Sequence, residues 1–254
     1  MNSHALTCTG ITVDFDGFRA VDGVDLTLDR GEVHFLIGPN GAGKTTLVDA
    51  VTGLAKYSGS VVKDGVELRG RKVHHIARRG IGRTFQTATV FEQLTVAQNL
   101  DIAAGAGRSP WSLLRRRKAL PDQVVAVMEQ IGLAGHAQTP AGILAHGQKQ
   151  WLEIGMLLVG DADVLLLDEP IAGMGHEERD TTGRLLHAIA ETRAVAVVEH
   201  DMDFMRAFAS RVTVLHAGRV LAAGSVDEVA NDPRVQEVYL GAANEQETID
   251  AATA

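Results

Sequence analysis

The stretch GPNGAGKTT, residues 38–46, constrains the fold of this chain more than any other segment. It matches the phosphate-loop pattern G-x-x-x-x-G-K-[ST]. The apolar run VHFLIG before it is typical of a buried parallel strand. Apolar residues after it recur at helical spacing: Leu47, Ala50, Val51 and Leu54. The order of strand, glycine loop and helix predicts a site that holds the phosphates of a nucleoside triphosphate.

The chemistry of this loop comes mainly from its backbone. Glycines let successive N–H groups turn around a phosphate, the helix N-terminus adds partial positive charge, and Lys44 adds a full charge. Thr45 is placed to bind Mg²⁺. The predicted nucleotide-binding residues of the loop are Gly38, Asn40, Gly41, Ala42, Gly43, Lys44, Thr45 and Thr46. The motif by itself leaves GTPases, kinases and transport ATPases open.

Two acids at the end of another apolar run narrow these classes. VLLLDE, residues 164–169, predicts a buried strand that ends in Asp168 and Glu169. The first carboxylate can hold the Mg²⁺ shell and the second can polarise an attacking water. The guanine-selecting motif N-K-x-D does not occur in the sequence, which argues against a GTPase.

The wider pattern predicts an α/β fold. The first 35 or so residues alternate like an antiparallel sheet with a loop at DGFRAVDG, and hairpins are expected at Asp64-Gly65 and Ala217-Gly218. Residues from about 90 to 160 show helical patterning. VLLLDE and AVAVVEH are separated by a helix-length segment, which indicates a parallel sheet with active groups at its carboxyl ends. We expect a P-loop NTPase (RecA-like) core with a mixed sheet, an N-terminal antiparallel β subdomain and an inserted α-helical subdomain.

Composition excludes some partners. The formal net charge of −8 over 254 residues argues against nucleic acid as a partner, because binding phosphates requires a basic face. No apolar run approaches the ~20 residues that span a bilayer, and the N-terminus lacks the order of a signal peptide. Cys8 is the single cysteine, so an internal disulfide is excluded. We therefore expect a soluble, cytoplasmic protein.

The motifs together resemble the nucleotide-binding domain of an ABC transporter, over residues 1–241. The resemblance rests on GPNGAGKTT, LLLDEP, GRTFQ and VVEHD in that order. It implies a catalytic core at about 1–88 and 161–241, with a helical subdomain at about 89–160. Residues 242–254 are expected to form a disordered tail, because they are small, polar and acidic.

The resemblance also implies roles for single residues, with ATP as the nucleotide. Gln86 would touch Mg²⁺ and the attacking water, and His200 would contact the γ-phosphate. Glu169 would be the general base or water-polarising group, and Asp168 a metal ligand. Phe15 is the best match for the aromatic that stacks on adenine, with Phe18 second.

The segment LAHGQ, residues 144–148, resembles the family signature L-S-G-G-Q. In the family this segment faces the γ-phosphate of ATP held by a second subunit. The residues that would make this contact are Ala145, His146, Gly147 and Gln148. Ala145 lacks the serine hydroxyl, and a hydrogen bond to a charged group is worth roughly 1.5–3 kcal/mol, or about ten- to a hundredfold. Because the Gly147 N–H remains and His146 is a candidate substitute donor, we expect a weakened site.

A second departure lies after the acidic pair, where Gly175 stands in place of the family's aspartate. The two departures favour a heterodimer with a second, distinct ATPase subunit and unequal sites; a homodimer is the alternative. The resemblance further implies transmembrane permease subunits, an indirect role for a periplasmic or extracellular solute-binding protein, and a position on the inner face of the cell membrane.

Several segments resemble the branched-chain amino acid importer group, among them IARRGIGRTFQ, FEQLTVAQNL and EVANDPRVQEVYLG. Within that group, HGQKQWLEIGMLL, PIAGM and VEHDMDFM look most like the ATPase of urea uptake systems. The prediction is therefore an importer ATPase for urea. The alternatives are a branched-chain amino acid importer ATPase, a lipopolysaccharide export ATPase, and an ATP-gated dimerisation module with little hydrolysis.

Overall fold

The computed structural model describes residues 4–85, 88–105 and 120–238. Its strands are β1 (His4–Phe15), β2 (Phe18–Asp29), β3 (Val33–Ile37), β4 (Ser58–Lys63), β5 (Val66–Glu67), β6 (Ile81–Arg83), β7 (Val164–Asp168), β8 (Ala194–Val198), β9 (Arg211–His216) and β10 (Arg219–Gly224). Its helices are α1 (Lys44–Thr52), α2 (Val73–Ala77), α3 (Val96–Gly105), α4 (Asp122–Gln130), α5 (His146–Val159), α6 (His176–Ala190), α7 (Met202–Phe208) and α8 (Val226–Ala230). Short 3₁₀ turns cover Ala134–His136 and Ala141–Ile143.

The strands form two sheets. The N-terminal sheet is antiparallel with the order β2-β1-β4-β5. The larger sheet has the order β10-β9-β3-β8-β7-β6, and all its neighbouring strands are parallel except β10 and β9. The carboxyl ends of β3, β8, β7 and β6 therefore meet at one edge, where ligands of open α/β sheets bind. The predicted fold class is confirmed.

The two faces of the large sheet bury different sets of side chains. On β3, Leu36 packs with the N-terminal sheet and α1, whereas Phe35 and Ile37 pack with the helices. Leu166 and its neighbours Leu165 and Leu167 divide in the same way on β7. This alternation follows from the two-residue period of a strand. The large sheet is therefore packed between two apolar layers, and the loops at its edge are attached to a rigid core.

Residues 88–105 and 120–160 contain helices and turns, as their sequence pattern predicts, with one isolated bridge between Thr95 and Pro140. Helix α5 packs against both α3 and α4. Leu152, Ile154 and Leu158 are buried on α5, and a side chain at Gly155 would collide with Ile131, which follows α4. The packed face of α5 leaves its N-terminus, at the predicted signature segment, at the surface.

The hairpins at Asp64-Gly65 and Ala217-Gly218 are confirmed, with left-handed backbone at both residues of each turn. The predicted loop at DGFRAVDG is wrong beyond residue 17. The chain reverses within the two residues Asp16 and Gly17, at φ 51° and 95°, and β2 already begins at Phe18. Irregular register along the β1–β2 ladder explains why this stretch shows no clean alternation.

Gln86 and the predicted tail, residues 242–254, lie outside the described residues. Within the described residues, every helix is too short or too polar to cross a membrane.

Candidate functional site

The predicted phosphate loop lies at the sheet edge, between the end of β3 and the start of α1. Its glycines are required by the backbone: φ is 151° at Gly38, 78° at Gly41 and 99° at Gly43. A Cβ at Gly38 would lie 2.2 Å from the carbonyl oxygen of Leu215, and one at Gly43 would lie 2.4 Å from that of Ala20. Only glycine combines these dihedral angles with such close approach.

Lys44 folds back over this loop. Its Nζ donates to the carbonyl oxygens of Gly38 at 2.7 Å and Pro39 at 3.0 Å. Burial lowers the pKa of Lys44, and the nearby carboxylates of Glu169 and Asp168 oppose that change. The ammonium group therefore stands among acceptors that a phosphate oxygen can replace.

A cavity of about 460 Å³ opens beside the loop. Its lining includes the predicted phosphate-loop residues 40–46, both candidate aromatics and Glu169. Phe15 is 53% exposed and Phe18 is 67% exposed, so their rings are free to stack on a planar base. The structure thus places two aromatic side chains and the predicted phosphate loop in the lining of one cavity.

Asp168 ends β7 and is held by β6. Its backbone N–H donates to the Thr84 hydroxyl at 3.1 Å, and its Oδ2 accepts from the Arg83 guanidinium at 3.2 Å. Arg83 also contacts Asp49 of α1. Burial raises the pKa of Asp168, and the Arg83 charge opposes the rise. Arg83 is thus shared between a predicted metal ligand and the helix that follows the phosphate loop.

The donors present suit Mg²⁺ only together with ATP. Among the residues that the structure describes, no group of three or more His, Cys, Asp or Glu side chains could hold a metal. Thr45 lines the nucleotide cavity and Asp168 ends the neighbouring strand β7. Mg²⁺ prefers oxygen ligands and usually binds one or two protein groups plus phosphate oxygens and waters. A hydroxyl and a carboxylate fit that requirement.

Glu169 and His200 meet at the same sheet edge. Glu169 has φ 48°, and its N–H donates to the Val198 carbonyl of β8 at 2.9 Å. The strained backbone projects the side chain into the nucleotide cavity, which it lines. His200 Nδ1 lies 3.6 Å from Glu169 Oε1, and the His200 side chain is 66% exposed. The histidine ring can thus contact both the carboxylate and an incoming ligand.

Glu199 belongs to the site although it is not among the residues predicted from sequence, and its side chain is 2% exposed. Its carboxylate accepts hydrogen bonds from the N–H groups of Ile171 at 3.4 Å and His200 at 3.2 Å. Burial raises its pKa, and these hydrogen bonds oppose the rise. Glu199 thereby connects the turn after Glu169 to the histidine. The signal in the sequence is a carboxylate at the end of the apolar run AVAVVEH, which is costly unless it is hydrogen-bonded.

The predicted signature segment forms the N-terminus of α5. Ala145 offers no side-chain cap, and its N–H donates to the Gln148 side chain at 3.1 Å. Gly147 packs against α6, where a Cβ would lie 3.0 Å from Glu178 Oε1. The other oxygen of that carboxylate accepts from the Gly175 N–H at 3.1 Å. Glu178 therefore lies between Gly147 of the signature segment and Gly175, the second departure from the family pattern.

The structure does not bring this segment to the nucleotide cavity of its own chain. The described residues that line the cavity belong to β1, β2, the phosphate loop, the end of β7 and β8, and none comes from residues 144–148. Ala145 and His146 are exposed to solvent. This arrangement leaves the signature segment free to face another molecule.

A family profile described as "ABC transporter" matches residues 21–172, which include the phosphate loop, LAHGQ and Asp168-Glu169. The chain belongs to the ABC transporter family. It is an ABC ATPase, the ATP-hydrolysing subunit of a transporter. A second profile, "Branched-chain amino acid ATP-binding cassette transporter", matches residues 219–244.

Curated relatives agree over nearly the full chain. The ABC ATPase is 34% identical to the high-affinity branched-chain amino acid transport ATP-binding protein BraF of Pseudomonas aeruginosa, over 96% of this chain and 100% of that protein. It is 36% identical to LivG of Escherichia coli K12, which carries the same description, over 96% and 100% of the two chains.

Solved structures show the same fold. The ADP conformation of an ATP-binding cassette of an ABC transporter aligns with a TM-score of 0.80 and 30% identity, over 94% of this chain and 99% of that one. A nucleotide-free ATP-binding cassette aligns with a TM-score of 0.79 at the same identity, over 93% and 98%.

Proposed function

We propose that this ABC ATPase energises an importer for branched-chain amino acids. The observation that carries the proposal is the agreement, over 96% of the chain, with relatives named for branched-chain amino acid transport. The match at residues 219–244 supports it independently, because that segment lies outside the general ABC profile. The importer ATPase predicted from sequence is retained, with its transported solute changed from urea to branched-chain amino acids.

Urea remains the second candidate substrate. The segments that favour it are HGQKQWLEIGMLL, PIAGM and VEHDMDFM. They lie in α5, in the turn after β7 and at the start of α7. These elements belong to the helical region and to the sheet edge that carries Glu169 and His200. Such positions record ancestry and contact no transported solute. The assignment to urea is therefore less well supported than the assignment to branched-chain amino acids, which rests on the named relatives.

The cavity suggests how ATP is held. Phe15 would stack on adenine, which contributes about 1–3 kcal/mol per base by analogy with nucleic-acid bases. The triphosphate would enter the loop at residues 38–46, and Lys44 Nζ would exchange the carbonyl oxygens of Gly38 and Pro39 for phosphate oxygens. The first turn of α1 would add its partial positive charge.

Thr45 and Asp168 would hold Mg²⁺, with Gln86 as a third predicted ligand. When bound, the metal neutralises negative charge that develops on the phosphates. In this proposal Arg83 keeps one oxygen of Asp168 engaged and leaves the other available.

Glu169 would polarise the attacking water, since its carboxylate lines the cavity beside the phosphate loop. His200, 3.6 Å from that carboxylate, would contact the γ-phosphate and keep Glu169 oriented. Gln86 is assigned the same water by the resemblance.

Hydrolysis would require a second ATPase subunit. The N-terminus of α5, at which Ala145 and His146 are exposed, would meet the γ-phosphate bound to the partner. The predicted contacts are Ala145, His146, Gly147 and Gln148. Because Ala145 and Gly175 lack the family's side chains, we favour a heterodimer in which one composite site is weaker; a homodimer would carry the departures in both sites. The dimer would bind permease subunits at the inner face of the cell membrane, and a solute-binding protein would act through the permease.

Solute uptake tests the substrate assignment. The gene is deleted in its native host, and uptake of labelled leucine and labelled urea is measured at low concentration. We expect leucine uptake to fall and to recover with the wild-type chain but not with Glu169→Gln. Loss of urea uptake with intact leucine uptake would move the assignment to urea. Loss of neither, with a lipopolysaccharide-export permease co-purifying, would support the export alternative.

A further inference from the structure

Glu153, on α5, is a buried acid that the site described above does not use. It is 6% exposed and follows the buried Leu152 and precedes the buried Ile154 on α5. Burial raises the pKa of the Glu153 carboxyl to about 7, and backbone hydrogen bonds oppose the rise; among the described residues, no charged side chain contributes. A buried carboxylate without a counter-charge is costly, so its hydrogen bonds carry the reason for its position.

The backbone N–H of Thr89 donates to this carboxylate, at 3.2 Å from Oε1. The backbone N–H of Phe85 lies close enough to lower the pKa of the same carboxyl. Phe85 follows the end of β6, whereas Thr89 leads into the helical region. The Glu153 side chain therefore interacts with the chain both where it leaves the sheet, at Phe85, and where it enters the helical region, at Thr89.

The end of β6 is also the support of Asp168. Thr84 accepts the Asp168 N–H at 3.1 Å, and Arg83 donates to the Asp168 carboxylate at 3.2 Å. The Arg83 guanidinium lies over the Phe85 ring, 4.9 Å from its centroid. Three consecutive residues therefore connect Glu153 to the predicted metal ligand.

The other end of this connection is the signature segment. Glu153 lies eight residues after Ala145 on a continuous helix, or ~12 Å at 1.5 Å per residue. A helix is stiff over two turns, so an anchor at Glu153 fixes the direction of the α5 N-terminus relative to β6.

We propose that Glu153 is a positioning residue that ties the end of β6, and through it Asp168, to the helix that presents the signature segment. This inference rests on the proposed roles of Asp168 and of residues 145–148. Its expected consequence is that loss of Glu153 slows ATP hydrolysis and leaves ATP binding intact, because the nucleotide cavity does not include Glu153.

The chain offers a matched control. Lys149 of α5 pairs with Glu92 at 3.2 Å, and the Glu92 side chain is 67% exposed. This pair also joins α5 to the segment after β6, but at the surface, where ion pairs contribute little. Glu92→Gln therefore also removes a carboxylate that links α5 to the segment after β6, but it leaves the contacts at the end of β6 unchanged.

The test uses the assembled transporter, purified through a tag on this chain. Steady-state kcat and KM for ATP, and binding of a fluorescent ATP analogue, are measured for wild type, Glu153→Gln, Glu153→Ala and Glu92→Gln. Glutamine keeps one acceptor oxygen, whereas alanine removes both acceptor oxygens. By the value of hydrogen bonds to charged groups, we expect kcat to fall about tenfold with glutamine and up to about a hundredfold with alanine. KM, analogue binding and the Glu92→Gln variant should stay near wild type.

Two outcomes would overturn the inference. One is a lower melting temperature with wild-type kcat, which would make Glu153 a fold-stabilising residue only. The other is an equal fall in kcat for Glu92→Gln, which would show that the effect does not depend on the buried Glu153 contact. If Glu153→Ala fails to fold, Glu153→Gln decides. A wild-type complex that does not hydrolyse ATP would instead undermine the proposed function, and so the two failures are distinguishable.

Discussion

The phosphate-loop region and the signature region of this ABC ATPase are built in different ways. The phosphate loop depends on backbone shape: Gly38 and Gly43 allow no Cβ, and Lys44 is held by carbonyl oxygens. The signature region depends on side chains, and at Ala145 and Gly175 the family's polar groups are missing. Backbone-built sites cannot lose a residue without losing their shape, whereas a side-chain contact can be lost while the helix N-terminus remains.

From this difference we expect that the chain would bind its own ATP with a complete loop and would contribute a reduced signature segment to the site of the proposed partner subunit. The following four experiments test the contrast, from the largest expected effect to the smallest.

Replacing Glu169 with glutamine should give the largest effect. The loop and Lys44 stay intact, so ATP should still bind. A positioned general base contributes about 10²- to 10⁴-fold to rate, and turnover should fall by that order. Phosphate release from the assembled transporter gives the measurement, with the exposed Glu177→Gln on α6 as the control. Wild-type turnover would exclude Glu169 from catalysis.

Acid should weaken the sheet under the phosphate loop. His34 of β3 is 3% exposed, and its Nε2 is hydrogen-bonded to the Thr213 hydroxyl at 2.8 Å. Burial lowers the pKa of His34 to about 4. The unfolded chain binds the proton near pH 6.5, so this stability is present above that pH and is lost as pH falls toward 4. The loss is about 3 kcal/mol.

Denaturant unfolding at pH 7 and pH 4 measures this loss. The double variant His34→Leu/Thr213→Val removes the titrating group and its partner, so its stability should fall less between the two pH values. An identical fall in wild type and double variant would show that His34 does not contribute.

Lys44→Ala should weaken ATP binding. It removes hydrogen bonds from a charged group, which are worth about ten- to a hundredfold in affinity. Titration of a fluorescent ATP analogue gives the dissociation constant, and Lys56→Ala, at an exposed lysine just after α1, is the control. Unchanged affinity would contradict the assignment of the phosphate loop.

Ala145→Ser should have the smallest effect and act in the opposite direction. The hydroxyl restores the missing donor, and turnover should rise up to about tenfold. In the free chain the same hydroxyl can cap α5, which adds ~1 kcal/mol to the free energy of unfolding. Turnover and thermal unfolding are measured beside Ala145→Gly, which adds no hydroxyl. If serine raises stability but not turnover, His146 or the backbone already serves the partner's phosphate.

The predictable parts of the molecule are those whose chemistry lies within a short segment. GPNGAGKTT implies its own backbone shape, and VLLLDE implies a buried strand that ends in two acids. Arg83, Glu153 and Glu199 could not be assigned in this way, because their partners Asp168, Thr89 and Ile171 lie far away in sequence. The loop predicted at DGFRAVDG failed for a different reason, since β2 pairs with the adjacent β1 in a tight hairpin whose irregular register hides the alternation of a strand.

The sequence by itself determined the fold class and the family and predicted the nucleotide site, because glycine positions, strand-end acids and apolar periodicity act over a few residues. Only the tertiary structure decided which acids are buried, that the carboxylate of Glu178 lies between Gly147 and Gly175, and that the signature segment does not line its own chain's cavity. Burial and hydrogen-bond partners depend on how distant segments pack, and no local pattern records that packing.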